Sequence, residues 1–510
     1  MKSKLLKHSV LVSAGELGVK AIGYIRDAVL AAIFSNSAVL DAFFIALNVP
    51  YIFISIFGNA LTTAFIPFFS LYGENTTTKE QHFFLAKVTT CILISFLFLA
   101  AIVFLFPGML VAIMAPGFSG DQAEYTANLV RILSLLTLFT GVAAFLSASA
   151  QCKERYNWLV LASIANNVFV LLLVLCLGPK LGIVGVVYAF ILGAAVQVSL
   201  LALRYYLDGG RLTCKVSFFE PGIQDVLRVS WPLYVGMLAA KIATVVDRAM
   251  ASGLPAGSIS ALAFADKIRN LPITVFSAVM ITVLFPKLSQ LVASKQNKEL
   301  SDMLDQNIKI ALVLCLYIVN IIWLLALPIT SIFFEHGNFT RDAAVMTAEA
   351  LKYFSIGIPW VVMGTLVLRV YHAHQDTKTP VLIGFVNVII NIILNLVFIG
   401  PLAHQGIALA TSIASFVWFF LLLYVMYFRL KVPLMKPGRS SMKFIIKLLA
   451  ISFVVFITDK LLLELLQGRI YELFLIISVT LISTVSWVIG LKMCRMTSIF
   501  VVKKVVNTTD

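Results

Sequence analysis

The sequence predicts an all-α, polytopic membrane protein, and three observations lead to this fold class. The chain of 510 residues is 60% hydrophobic, only 12% of its residues are charged, and its mean hydropathy is +0.99. Soluble domains contain about twice that share of charged residues. Apolar stretches of about 20 residues, the length that a helix needs to cross a bilayer, recur along the whole chain. These features exclude a soluble enzyme, a disordered chain and a transmembrane β-barrel.

The apolar stretches predict fourteen transmembrane helices. We interpret the first as an uncleaved span, because Glu16 and Lys20 interrupt the apolar run and no small-residue cleavage site follows it. The predicted spans are 9–33, 39–70, 83–106, 126–149, 157–178, 182–204, 227–250, 258–285, 307–331, 345–372, 379–400, 405–429, 443–464 and 470–491.

Basic residues lie mostly in alternate loops between these spans. One set of loops contains Lys153, Arg204, Lys287 and Arg429, whereas the opposite set contains few basic residues. By the positive-inside rule the first set is cytoplasmic, and an even number of spans places both termini on that side. The same distribution accounts for the net charge of +15 without a nucleic-acid partner.

An internal repeat relates two halves of the chain. The tripeptide NVP at Asn48 matches NLP at Asn270, and the dipeptide GP at Gly178 matches GP at Gly400, both 222 residues apart. Chance matching in apolar sequence is the alternative interpretation. Because the offset spans six helices, the repeat predicts two parallel, pseudo-symmetric lobes followed by two additional helices. The predicted domains are 1–215, 216–435 and 436–510.

Ionisable residues inside the predicted spans are concentrated on the first two helices of each half. A charge inside a bilayer costs several kcal/mol unless it is paired or faces water. Helical periodicity places these residues on one face of each helix, which indicates a polar cavity between the halves. Local ion pairing that only stabilises the bundle is the alternative. The candidate substrate-binding residues are Arg26, Lys20, Lys267, Asp41, Asp27, Asp266, Lys241, Arg248, Arg269, Asn48 and Asn270.

Common enzymatic and metal motifs are absent from the sequence. The six cysteines are scattered and form no CxxC motif. His372 and His374 are two residues apart and do not share a helix face. No P-loop, HExxH motif or nucleophile elbow occurs. The sequence therefore predicts a transporter rather than an enzyme, without an ATP site.

Several segments, in order, resemble the MurJ (MviN) family of lipid II flippases. They include GYIRDAVLAAIF, LDAFFIALNVP, ALAFADKIRNLP and HQDTKTPV, and the resemblance extends over about residues 9–430. It implies the fourteen-helix fold of the multidrug/oligosaccharidyl-lipid/polysaccharide exporter superfamily. It also implies that the chain flips undecaprenyl-diphosphate-linked lipid II from the inner to the outer leaflet of the bacterial cytoplasmic membrane by alternating access. A flippase for another polyprenyl-diphosphate saccharide is the alternative, and a drug/cation antiporter ranks below it.

The resemblance assigns diphosphate binding to basic residues. Arg26 matches the arginine of the family's RDA motif, whereas Lys20 and Lys267 stand where the family has arginine. Lysine can hold a phosphate, although without the bidentate fork of arginine. Two positions depart from the family: Ile54 stands near a family arginine, and Asn59 replaces the acid of its EGA motif.

The resemblance implies no cofactor. For some members it implies a monovalent cation site in the C-terminal lobe, and the alternative source of energy is the membrane potential. We expect a monomer whose partners are the polyprenyl-diphosphate lipid and membrane lipids. The candidate cation ligands are Asp247, Asn387, Asn391 and Thr411.

Overall fold

The computed structural model describes most of the chain, and almost all of this part is helical. It contains no strand among the described residues. The described residues are 2–35, 37–58, 65, 78–211, 234, 237–238, 241–280, 284–432, 439–466 and 472–493.

Where the residues between consecutive helices are described, the connections are short. A π-helical segment, Ile54–Gly58, continues α2. The helices are α1 (Lys2–Phe34), α2 (Ala38–Phe53), α3 (Thr78–Leu105), α4 (Pro107–Met114), α5 (Gly120–Cys152), α6 (Tyr156–Leu207), α7 (241–251), α8 (Ser258–Val279), α9 (Phe285–Ala293), α10 (Asn297–Phe334), α11 (Arg341–Ser355), α12 (Ile358–Ala373), α13 (Lys378–Leu430), α14 (Arg439–Leu466) and α15 (Glu472–Met493).

The helix lengths confirm a multi-pass membrane protein. Within the described residues, six helices are long and apolar enough to cross a bilayer, and α11 with α12 adds a seventh if this pair, bent by 44°, is one span. Helices α6 and α13 contain 52 and 53 residues, more than twice what one span needs. Each therefore accommodates two predicted spans. The total of fourteen stays a prediction, because the spans 39–70, 227–250, 258–285 and 470–491 include residues outside the described part.

Helices α6 and α13 are each broken once, at corresponding positions. Gly182 has φ 62° and ψ −147°, and Ala403 has φ 47° and ψ −127°. These residues are 221 positions apart, and each shortly follows a Gly-Pro pair. Proline removes a helical hydrogen bond and favours a break nearby. The backbone therefore reproduces the repeat that the sequence predicts.

The chain divides into two compact units. The first comprises Met1–Ala263 with Phe334–Ala343, and the second comprises Phe264–Phe333 with Ala344–Asp510. The predicted lobe boundaries, after residues 215 and 435, stay a prediction.

In the first unit, α5 packs against α2, α3 and α6, and α1 lies along α6. Phe65, Phe84, Phe96 and Phe145 form the centre of one buried cluster. Gly141 permits the close approach of α5 to α3, because a Cβ atom at this position would overlap the Phe96 ring. Such small residues allow membrane helices to pack tightly, where van der Waals contact replaces the hydrophobic driving force.

In the second unit, α12 packs against α13, and the C-terminal helices α14 and α15 pack against each other. Val313 of α10 joins a buried cluster with Leu448 of α14 and Trp487 of α15. Asn320 Nδ2 donates a hydrogen bond of 2.9 Å to Ser452 Oγ in the same interface. The two C-terminal helices are thus anchored on α10.

Candidate functional site

Arg26 on α1 is held by three neighbours. Its Nη2 and Nε atoms lie 3.1 and 3.2 Å from Asp27 Oδ1, and Nη1 donates to Asn167 Oδ1 at 3.4 Å. The guanidinium carbon lies 4.8 Å from the centroid of the Phe190 ring. Asn167 uses its own Nδ2 to bond Ser163 O, which orients Oδ1 towards Arg26. Packing between α1 and α6 therefore fixes the position of this cation.

The surroundings of Arg26 suit recognition of an anion. Only 16% of its side chain and 5% of the Asp27 side chain are exposed. A buried ion pair contributes little net stability, because desolvation offsets its Coulomb energy. The planar guanidinium has five donors and matches the oxygen geometry of a phosphate. Lys20 lies six residues earlier on α1 and is exposed.

Asp41 on α2 binds the backbone at the start of α8. Its Oδ2 accepts from Gly257 N and its Oδ1 from Ser260 N, both at 2.7 Å, and only 3% of the residue is exposed. These N–H groups lie at the start of α8, where the first turn has no helical acceptors. A carboxylate also complements the positive end of the helix dipole. Arg248 of α7 contacts the same turn, since its Nη1 donates to Ile259 O at 3.0 Å.

The other predicted residues of α8 form a second polar group. Arg269 Nη2 lies 3.0 Å from Asp266 Oδ1, and the Arg269 guanidinium carbon lies 4.6 Å from the centroid of the Phe354 ring. Arg269 Nε and Nη1 are buried and have no hydrogen-bond partner within the part of the chain that the structure describes. Lys267 Nζ lies 5.7 Å from the Phe264 ring centroid. Arg269 therefore has two buried donors to which the described residues offer no acceptor.

Asn48 and Asn270 make the same intrahelical contact in the two halves. Asn48 Nδ2 donates to Phe44 O, and Asn270 Nδ2 donates to Asp266 O, each at 2.8 Å. Asn270 Nδ2 also lies 2.8 Å from Asp266 Oδ2. Each amide group thus bonds to the backbone of its own helix, and in both halves a proline follows two residues later. Lys241, the remaining substrate-binding candidate, is half-buried on α7.

The candidate cation ligands of the second unit lie together on α13. Asn391 Nδ2 is 3.5 Å from Thr411 Oγ1, and Asn391 Oδ1 accepts from Asn395 Nδ2 at 3.2 Å. Asn387 Oδ1 is buried without a hydrogen-bond partner among the described residues. Amide and hydroxyl oxygens suit a hard cation. The structure thus adds Asn395 to the predicted set.

The fourth cation candidate, Asp247, belongs to the first unit and is half-buried on α7. The described residues contain no group of three or more His, Cys, Asp or Glu side chains that could hold a metal ion. Asn59, one of the two departures from the family pattern, lies outside the described residues, whereas Ile54 begins the π-helical segment.

A separate cavity of about 740 Å³ lies where α3, α4 and α5 meet. Phe106 and Met109 line its apolar side, and Glu124, Asn128 and Arg131 line its polar side. None of the predicted site residues lines this cavity. The chemistry that the sequence predicts is therefore located elsewhere, on α1, α2, α7, α8 and α13.

Comparison with protein families gives one match that spans most of the chain. The family model described as "Lipid II flippase MurJ" matches residues 30–480. A relative from Rickettsia prowazekii (strain Madrid E), named "Probable lipid II flippase MurJ", is 26% identical over 417 residues, which cover 81% of this chain and 82% of the relative. A protein of the same name from Vibrio cholerae is 26% identical and covers 82% of each chain.

Comparison with solved structures supports the same fold. A structure described as "Lipid II flippase MurJ, inward closed conformation" matches with a TM-score of 0.79 and 23% identity, covering 95% of this chain and 98% of that one. An inward-facing multidrug resistance MATE transporter matches with a TM-score of 0.66 and 16% identity, over 81% of this chain and 94% of that chain.

Proposed function

We propose a substrate path for this chain from one premise: the chain belongs to the MurJ family of lipid II flippases. It is a multi-pass membrane transporter that acts on a lipid-linked substrate, not an enzyme. Its function is to flip lipid II. We place it in the bacterial cytoplasmic membrane, with both termini in the cytoplasm and the lipid moved from the inner to the outer leaflet.

The physical task is to move a diphosphate-sugar headgroup across about 30 Å of hydrocarbon. Burying such charges without partners is prohibitive. The protein replaces water around the headgroup with fixed cations and polar groups, while the polyprenyl tail stays in lipid. Alternating access then exposes these groups to each side of the membrane in turn.

Arg26 is the principal diphosphate ligand in this proposal. The observation that carries it is the position of the guanidinium, which Asp27, Asn167 and Phe190 hold on one helix face. A positioned cation binds an anion without first losing side-chain conformational entropy. Asp27 orients Arg26, and an approaching diphosphate competes for the same donors.

The other cations and acids take supporting roles. Lys20 and Lys267 bind the diphosphate as point charges, and Arg269 adds a third positive charge. Lys241 and Arg248 rank below them, because Arg248 already bonds the backbone of the α8 turn. Asp266 orients Arg269, and Asp41 fixes the start of α8.

The source of energy in this proposal is a monovalent cation or the membrane potential, without a cofactor. Asn387, Asn391 and Thr411 would supply oxygen ligands of the cation. A potential that is negative inside favours outward movement of anions by about 2.3 kcal/mol per charge per 100 mV. The functional unit is a monomer surrounded by membrane lipids.

Reconstitution tests the proposed substrate. The purified protein is placed in vesicles that contain lipid II on one leaflet, and crossing is followed with an impermeant reagent that modifies the headgroup. We expect faster crossing with the protein than without it, and loss of that acceleration with Arg26→Ala. Acceleration of another polyprenyl-diphosphate saccharide but not of lipid II would reject lipid II and favour the alternative substrate.

A further inference from the structure

The turn between α5 and α6 gathers cations around one carboxylate. Arg155 Nη2 lies 3.4 Å from Asp208 Oδ1, Arg204 Nε lies 3.0 Å from Asp208 Oδ2, and Lys153 Nζ donates to the Asp208 carbonyl at 3.0 Å. The turn also contains the exposed Glu154. We name this group of five residues the α5–α6 corner. Its three cations exceed its two carboxylates, and the exposed Arg211 follows three residues later.

The corresponding turn of the second half has the same backbone. Glu154 has φ 56° and Gln375, 221 residues later, has φ 59°. The following residue closes the turn in both cases, through Arg155 N to Ala150 O at 2.8 Å and Asp376 N to Tyr371 O at 3.0 Å. The two halves therefore fold this turn in the same way.

The charges of the two turns differ. In the second half a single pair, Arg429 Nε to Asp376 Oδ2 at 3.3 Å, occupies the place of Arg155 and Asp208. The positions of Lys153 and Arg204 hold His374 and Val425. One ion pair is thus sufficient for this turn, and two cations of the α5–α6 corner have no counterpart there.

Arg155 is the accessible cation of the corner, and the three cations repel one another. The Arg155 side chain is 49% exposed, whereas the Asp208 side chain is only 9% exposed. Burial lowers the pKa of the Lys153 ammonium, Asp208 opposes that shift, and Arg155 and Arg204 add to it. An additional anion at this place would relieve the repulsion among the three cations.

Exposed apolar side chains lie next to the corner at the end of α6. Leu203, Tyr206 and Leu207 are 49%, 70% and 59% exposed at the end of α6. The Arg204 guanidinium carbon lies 5.9 Å from the centroid of the Trp158 ring. Aromatic residues of this kind are typical of the membrane interface, and basic pockets between helices there suit anionic lipid headgroups.

We propose that the α5–α6 corner binds the phosphate of an anionic phospholipid headgroup, with its acyl chains along Leu203, Tyr206 and Leu207. The juxtaposition of the accessible Arg155, two further cations and exposed apolar side chains favours a lipid over a soluble phosphate. The positive-inside distribution predicts that this lipid lies in the cytoplasmic leaflet. The site is independent of the diphosphate path and does not depend on the proposed transport function.

Native mass spectrometry of the full-length protein in neutral detergent tests this site. The protein is titrated with phosphatidylglycerol, with phosphatidylcholine and glycerol 3-phosphate as parallel probes. We expect phosphatidylglycerol to bind in preference to both. The double variant Lys153→Gln/Arg155→Gln should weaken its binding by about 30-fold, and Arg155→Gln alone by about fivefold, at roughly 1 kcal/mol per basic residue.

The matched control is Arg429→Gln, which removes the arginine of the corresponding ion pair, Asp376–Arg429, in the second half. We expect it to bind phosphatidylglycerol like the wild type. Unchanged binding in the corner variants, equal weakening in Arg429→Gln, or equally strong binding of glycerol 3-phosphate would each overturn the proposal. If the double variant fails to fold, the exposed single substitution Arg155→Gln decides the result.

Discussion

The first and second halves of the chain share a backbone but reverse the order of charge at two corresponding places. The first place is a pair of adjacent residues on a helix, and the second is an ion pair between a turn and the end of the following helix. All four residue correspondences have an offset of 221. The reversed pairs are Arg26-Asp27 against Asp247-Arg248, and Arg155–Asp208 against Asp376–Arg429.

The shared backbone therefore does not determine the electrostatic field, because the same fold accommodates either order of charges. Exchanging the partners of an ion pair leaves its Coulomb energy almost unchanged, so stability does not fix which partner is the cation. The exchange does change the direction of the local field. A pseudo-symmetric scaffold can therefore present an asymmetric charge pattern to an anionic substrate.

The largest effect is expected from substitutions that remove the cation or its planar fork at Arg26. Arg26→Ala should lower flipping by at least about 100-fold, because the diphosphate loses two charge-assisted hydrogen bonds. Arg26→Lys should retain part of the activity, since it keeps the charge but not the fork. Growth after depletion of the native protein measures this, at equal membrane levels. Arg131→Gln, an exposed arginine outside the site, is the control, and growth of Arg26→Ala at the wild-type rate contradicts the assignment.

A second effect is expected at Asp41, which has no counterpart in the second half, where Leu262 and Ala263 occupy the related positions. Asp41→Ala leaves the Gly257 and Ser260 N–H groups buried without acceptors, so we expect a loss of about 3 kcal/mol of stability. Thermal unfolding in detergent measures this. Asp41→Asn keeps one acceptor and should lose less. An unchanged unfolding temperature in Asp41→Ala would show that these two hydrogen bonds do not stabilise the protein.

Substitutions at the two helix breaks are expected to change the stability of the protein in opposite directions. Gly182→Ala places a side chain at positive φ, although it has open space around it, so backbone strain alone should cost about 1 kcal/mol. Ala403→Gly removes the corresponding strain and should stabilise by up to about 1 kcal/mol. Thermal unfolding of both variants checks the signs. A shift in the same direction for both would refute the equivalence of the two breaks.

The smallest expected effect concerns the reversed ion pairs. Arg155→Gln and Arg429→Gln each remove one pair with a half-exposed arginine, so each should lower stability by about 0.5 kcal/mol. The Arg155→Gln loss should not exceed the Arg429→Gln loss, because Arg204 still pairs with Asp208 after the first substitution. Chemical unfolding of the two variants side by side measures them. A loss several times larger in one half would mean that its turn depends on the pair in a way that the other does not.

Local sequence signals predicted the helices well. The predicted spans 83–106 and 443–464 correspond to helices Thr78–Leu105 and Arg439–Leu466. Length and hydropathy determine such elements, because backbone groups in lipid must be satisfied within the helix. The repeat was also visible, since Gly-Pro pairs mark both helix breaks. The short helix Pro107–Met114 was missed, because it is too short to cross a bilayer.

The environment of the site could be predicted only in part. Arg26 and Asp41 were recognisable as ionisable residues inside apolar spans. Their partners were not, because Asn167 is 141 residues from Arg26 and Gly257 is 216 residues from Asp41. Helical periodicity states which residues share a face but not which distant element packs against that face. The role of Phe190 could not be recognised from the sequence, because one phenylalanine in an apolar span looks like any other buried core residue.

The central claim is that Arg26 enables this chain to bring lipid II to the outer leaflet. The most direct test depletes the native protein in its host, restores either the wild type or Arg26→Ala, and measures lipid II exposed on the outer leaflet. We expect the wild type to restore exposure, whereas with Arg26→Ala exposed lipid II falls and inner-leaflet lipid II accumulates. Full exposure with Arg26→Ala at wild-type membrane levels would contradict it.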